Sequence, residues 1–228
     1  MEIKILPDAE AVAREAAAVI AADARTAVAA RGRFTLAVSG GHTPWVMLRE
    51  LAGQDVPWPG VEVLQVDERV APAGDADRNL THLAESLLAR APLHSDQMHA
   101  MPVERANLNA AVTEYSATLR KLAGSPPVLD LVHLGLGPDG HTASLVPGDR
   151  VLEVTDADVA LAGPYQGHRR MTLTYPIINR ARRILWVVTG AEKAPMLQRL
   201  QRGDPSIPGG RIEQDRALLL ADRAAAAQ

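Results

Sequence analysis

Apolar positions along this chain follow two periods. An alanine-rich stretch has helical spacing from residue 8 to about residue 31, with Asp8 able to cap it and Gly32 to stop it. Short continuous apolar runs at 34–38, 61–66 and 128–134 read as buried strands. Further strands are expected at 158–162, 171–174, 184–189 and 217–220. Helical spacing also predicts helices from Pro44 to about residue 52, near 80–89, over about 108–122 and at about 191–201. Residues 71–79 read as a polar loop and 92–105 as irregular. Apolar strands alternating with helices predict an α/β fold, a mainly parallel sheet with helices on both faces. No repeat, linker or shift in composition divides the chain, so residues 1–228 are expected to form a single domain.

The loops that follow the predicted strands carry the candidate chemistry, at the edge where open α/β sheets bind ligands. Gly135-Leu-Gly-Pro-Asp-Gly-His-Thr-Ala-Ser-Leu-Val-Pro147 leaves the 128–134 strand and holds Asp139 and His141 two residues apart. A carboxylate beside an imidazole is an acid–base device, since imidazole titrates near neutral pH. Pro-Asp-Gly is equally the signature of an ordinary tight turn. The formal Gly-x-Gly-x-x-Gly match at 135–140 is not a dinucleotide fingerprint: Pro138 removes a backbone donor, and no helical pattern follows.

Ser39-Gly40-Gly41-His42-Thr43-Pro44 joins a strand to a helix. With Thr43 as N-cap and Pro44 first in the helix, unpaired N–H groups face the loop and suit a phosphate. Asp67-Glu68-Arg69 ends the 61–66 strand on the same edge; such a cluster orients a hydroxyl, an imidazole or an anion, or is only a surface ion pair. Arg169-Arg170 opens a later strand, and Thr189-Gly-Ala-Glu-Lys193 leaves another. Each can bring a cation to a phosphate. Lysine is rare here, occurring at Lys4, Lys121 and Lys193 alone.

Charge and composition narrow the function classes. A net charge of −3 gives no broad attraction to nucleic acid or to an anionic membrane. No apolar run has transmembrane length, and the start lacks a signal-peptide pattern. Without cysteine there is no disulfide, thiolate zinc site or cysteine nucleophile, and the histidines lack metal-ligand spacing. A cytoplasmic enzyme or sensor acting on a small molecule is the expectation, as a monomer or small homo-oligomer.

Taken together and in order, SGGHTP, DER, GLGPDGHTASLVP, RMTLT and TGAEK, with Pro208-Gly-Gly-Arg-Ile212 and Leu220-Ala-Asp222, resemble the 6-phosphogluconolactonase family of the sugar-phosphate isomerase/deaminase-like group. The resemblance covers nearly the whole chain. It implies hydrolysis of 6-phospho-D-glucono-1,5-lactone to 6-phosphogluconate in the oxidative pentose phosphate pathway, with no metal and no organic cofactor. His42, Val146 and Gly209-Gly210 depart from the family's usual residues without removing a polar group that the chemistry requires. The deaminase loop of the same group resembles GHIAFNEP, which places Val146 where the deaminase carries glutamate. Sugar-phosphate-sensing repressor domains of this group follow a DNA-binding segment, whereas strands begin here by about residue 34.

The corresponding expectation is that Ser39, Gly40, Gly41 and Thr43, with Arg170 and Lys193, hold the 6-phosphate. His141 then deprotonates the attacking water and returns the proton to the ring oxygen. Asp139 or Asp67 orients the imidazole or a sugar hydroxyl, and Arg69 stabilises negative charge on the oxyanion or on the phosphate.

Overall fold

In the computed structural model, which describes residues 1–227, the chain begins β1 (Glu2–Leu6), α1 (Ala9–Arg31), β2 (Phe34–Val38), α2 (His42–Ala52), β3 (Val61–Gln65) and β4 (Asp67–Arg69). It continues through α3 (Asn79–Leu83), a π-helical turn (Ala84–Leu88), β5 (Met98–His99), α4 (Leu108–Ala123) and β6 (Leu131–Leu134). The last part comprises β7 (Val159–Tyr165), β8 (His168–Leu173), α5 (Tyr175–Arg180), β9 (Arg183–Val188), α6 (Ala194–Gln201), β10 (Ala217–Asp222) and α7 (Arg223–Ala226).

Local chemistry sets α1 as its sequence predicts. Asp8 accepts a hydrogen bond from the Ala11 N–H at 2.8 Å, and Gly32 ends the helix with φ 73°. Ala13, Ala16, Ala17, Ala21 and Ala24 are all buried, and their small side chains let the helix lie close to the sheet. That sheet has seven parallel strands in the order β1-β10-β9-β6-β2-β3-β5. All five residues of β2 are buried, as a strand covered on both faces must be. One face packs on α1 and α2 through Ile20, Phe34, Met47 and Leu48; the other packs on α4, α5 and α6 through Tyr115, Ile177, Trp186 and Leu197. The expected α/β architecture is therefore present.

Several local readings need correction. Asp67–Arg69 does not end β3. After Val66 the chain turns out of the parallel sheet and pairs antiparallel with β8, so that β4, β8 and β7 form a separate three-stranded sheet. The Val66 N–H still bonds Val38 O, while Val66 O accepts from the Leu173 N–H; this residue is the hinge between the sheets. β1 lies outside the sequence reading although Glu2-Ile3-Lys4-Ile5 alternates; it is an edge strand that leaves Ile3 and Ile5 each 44% exposed. The helix expected near 80–89 is a short α-helix running into a π-helical turn, and the one at 191–201 opens with a 3₁₀ turn, Ala191–Lys193. Within the irregular 92–105 segment, Met98–His99 pairs with β3. The strand expected at 158–162 runs on to Tyr165, and α5 follows Thr174 directly.

Candidate active site

β2 leads outward through β3 to β5, whereas β6 leads the opposite way to β9 and β10, so the topology switches between β2 and β6. Ligand crevices form at such points, beyond the carboxyl ends of the strands. Here the loops after β2, β6 and β9 surround a cleft of about 650 Å³.

The loop after β2 is shaped by Gly41, whose φ of 127° is one that L side chains rarely adopt. Gly41, not Thr43, is therefore the N-cap, and α2 begins at His42. Pro44 sits within the first turn, where its missing N–H costs nothing. No side chain caps this end, leaving first-turn N–H groups without a side-chain acceptor. The Thr43 hydroxyl instead meets that of Thr189 at 2.7 Å, clasping this loop to the one after β9. Ser39 is anchored from below: its N–H donates to His133 Nδ1 at 3.2 Å and its hydroxyl to His133 O at 3.0 Å. His133 is fully buried, and burial pushes its imidazole down to about 3, so it stays neutral. Gly40 cannot be replaced freely, because a Cβ there would lie 2.0 Å from Asn79 Oδ1.

After β6 the chain makes a closed turn, with the Gly137 N–H donating to His141 O and the Gly140 N–H to Gly137 O. Asp139 Oδ1 accepts from the His141 N–H at 3.1 Å and from Nδ1 at 2.5 Å. Burial alone would raise the Asp139 carboxyl, but the backbone and side-chain hydrogen bonds from His141 outweigh it and the net direction is down. An ionised Asp139 accepts only, so the proton resides on Nδ1 and Nε2 keeps a free lone pair. Tyr165 closes the group. Its hydroxyl donates to Asp139 Oδ2 at 3.2 Å, and its ring meets the imidazole edge-on, with centroids 5.2 Å apart.

The small sheet supplies the cations. Arg69 and Arg170 are cross-strand partners, and both line the cleft with Lys193. Burial, and then the charge of Arg69, lower the pKa of Arg170. Arg170 is buried, lies over the Tyr165 ring at 5.1 Å, and approaches Asp67 Oδ2 at 3.8 Å. Asp67 accepts from Ser144 Oγ at 2.6 Å and from Asn79 Nδ2. Of the two aspartates that the sequence left open, Asp139 is the one bonded to His141, while Asp67 faces Arg170. Glu68 points away from the cleft and is buried, accepting from the N–H groups of Arg69, Asn79 and Leu80 and pairing with Arg78.

Ser39, Gly40, Gly41, Thr43, Asp67, Arg69, His141, Arg170 and Lys193 all line this one cleft, with Asp139 behind His141. Sequence reasoning missed Asn79, Tyr165 and Gln166. Asn79 falls at the end of the polar 71–79 stretch, where its residue type fits an ordinary loop. The signal for the other two was the Gly167 turn, whose hairpin brings Gln166 to the cleft and Tyr165 against Asp139 and His141.

The family model described as glucosamine-6-phosphate isomerases/6-phosphogluconolactonase matches residues 7–220. A 6-phosphogluconolactonase of Nostoc sp. is 34% identical over 234 residues, covering 99% of this chain and 97% of the relative. One from Mycobacterium tuberculosis is 35% identical over 240 residues, covering 99% and 97%. A solved monomeric glucosamine-6-phosphate deaminase superposes with a TM-score of 0.86 at 17% identity, over 100% of this chain and 99% of that one; this likeness establishes the fold alone.

Proposed function

The chain belongs to the glucosamine-6-phosphate isomerase/6-phosphogluconolactonase family, and within it we propose that the protein is the lactonase, hydrolysing 6-phospho-D-glucono-1,5-lactone to 6-phosphogluconate. The observation that carries this reading is His141, bonded through Nδ1 to Asp139 and opening onto a cleft shared with Arg69, Arg170 and Lys193. The relatives from Nostoc sp. and Mycobacterium tuberculosis, each matched over 99% of this chain, bear the lactonase name.

In the mechanism we propose, the 6-phosphate lies against Gly40, Gly41 and Thr43, with Arg170 and Lys193 balancing its charge. Nε2 of His141 takes a proton from water as the water oxygen bonds to the C1 carbonyl carbon, and Asp139 stabilises the imidazolium. The oxyanion collapses, the bond from C1 to the ring oxygen breaks, and that oxygen takes the proton back from Nε2. Arg69 faces the charge that develops, and Asp67 fixes Arg170. The reaction needs no group beyond these, and residues 1–228 act as one unit in it. Ring-opening deamination asks for a further acid–base group, which Val146 does not provide.

The test offers the purified protein two substrates, the lactone generated in situ and glucosamine 6-phosphate. Acid release from the lactone well above the spontaneous rate, with no ammonium from the amino sugar, is expected. Ammonium release with no effect on the lactone would reverse the assignment.

A further inference from the structure

We propose that Tyr165 is a positioning residue for this reaction, its hydroxyl holding the Asp139 carboxylate in the orientation from which Oδ1 faces His141. The inference rests on the reading of His141 as the base.

Tyr165 is delivered by two local features. Between Ala162 and Tyr165 the β7–β8 register shifts by one residue, and such a bulge re-aims the side chains beyond it. Gln166 (φ 51°) and Gly167 (φ 84°) then form the two-residue turn to His168, with both central residues left-handed as a type I′ hairpin requires. Arg170 secures the hairpin end by donating to Tyr165 O at 3.2 Å while its guanidinium covers the ring.

Oδ1 of Asp139 is taken up by the His141 N–H and Nδ1, and among the described residues the Tyr165 hydroxyl is the one hydrogen-bond partner of Oδ2. Asp139 sits in a turn with its side chain 35% exposed. Once Oδ2 is held, rotation about the last side-chain bond cannot swap the oxygens or swing Oδ1 from the imidazole. Burial, and then the charge of Asp139, raise the phenol's pKa, so it stays a donor near neutral pH.

The test is a double-mutant cycle of Tyr165→Phe and His141→Ala. Phenylalanine keeps the ring against His141 and beneath Arg170, so only the hydroxyl is lost. In the otherwise unchanged enzyme, kcat should fall about tenfold, as for a lost hydrogen bond to a charged group, with KM held within about twofold. In the His141→Ala background the same change should have no further effect, because Tyr165 acts only through the Asp139–His141 pair. Unchanged kcat in Tyr165→Phe, or an equal loss in both backgrounds, would overturn the inference while leaving His141 as the base. Wild-type turnover by His141→Ala would overturn the reading beneath it.

Discussion

Arg69 and Arg170 stand directly opposite one another across the β4–β8 pair, and the Nε atom of each is buried without a hydrogen-bond partner among the described residues. Like charges in that position repel, and burial of Arg170 adds to the cost. A site so arranged is strained until an anion enters, so inorganic phosphate should raise the melting temperature. At tenfold its Kd the gain is about 1.4 kcal/mol. Arg69→Gln should melt no lower than the parent without phosphate and gain less from it. A melting temperature indifferent to phosphate in both proteins would contradict this account of the pair.

Lys193 lies in the 3₁₀ turn after β9 and is far less embedded than Arg170, which makes it the cleaner probe of phosphate binding. Lys193→Ala should weaken turnover of the phosphorylated lactone much more than that of unphosphorylated gluconolactone, mainly through KM. Steady-state kinetics on both substrates checks this. Equal losses on the two would remove Lys193 from the phosphate site.

The sheet was legible because its strands are buried on both faces and so are written as unbroken apolar runs. The cleft loops were legible because tight strand–helix turns need glycine, as at Gly41. Gly137 belongs to the same logic, since a Cβ there would lie 2.0 Å from the His141 ring. What stayed hidden depends on pairing across sequence distance. Nothing in Asp67-Glu68-Arg69 says that it leaves one sheet for another, or that Glu68 turns inward to meet Arg78, because both follow from the partner strand β8. The Asp139–Asp67 alternative was closed only by the turn geometry that bends the carboxylate of residue 139 back onto residue 141. The Gly167 turn marks a hairpin, but the direction in which Tyr165 points stayed hidden for a similar reason, because a bulge in β7 decides it.

His133 should make the protein acid-sensitive. Its imidazole is held at about 3 by burial, whereas in the unfolded chain it titrates near ~6.5. Between those values the unfolded state binds the extra proton, so stability rises with pH there and is lost as pH falls from ~6.5 towards ~3, by at most about 1.4 kcal/mol per pH unit from this group. His133→Asn retains an acceptor for the Ser39 N–H without the titration. Denaturant melts between pH 7 and 4 should show a shallower acid loss for the variant than for the parent. Parallel curves would show that His133 does not contribute.

The most direct measurement follows freshly generated 6-phosphogluconolactone with wild-type protein, with His141→Ala and with no protein, at neutral pH. The wild type should hydrolyse the lactone far faster than its spontaneous decay. The variant should melt like the parent, because His141 lies at the cleft outside the core, yet lose about 10²–10⁴-fold in kcat, the usual contribution of one acid–base group. Wild-type protein that leaves the spontaneous rate unchanged, or a His141→Ala variant that turns over as fast as its parent, would contradict the account.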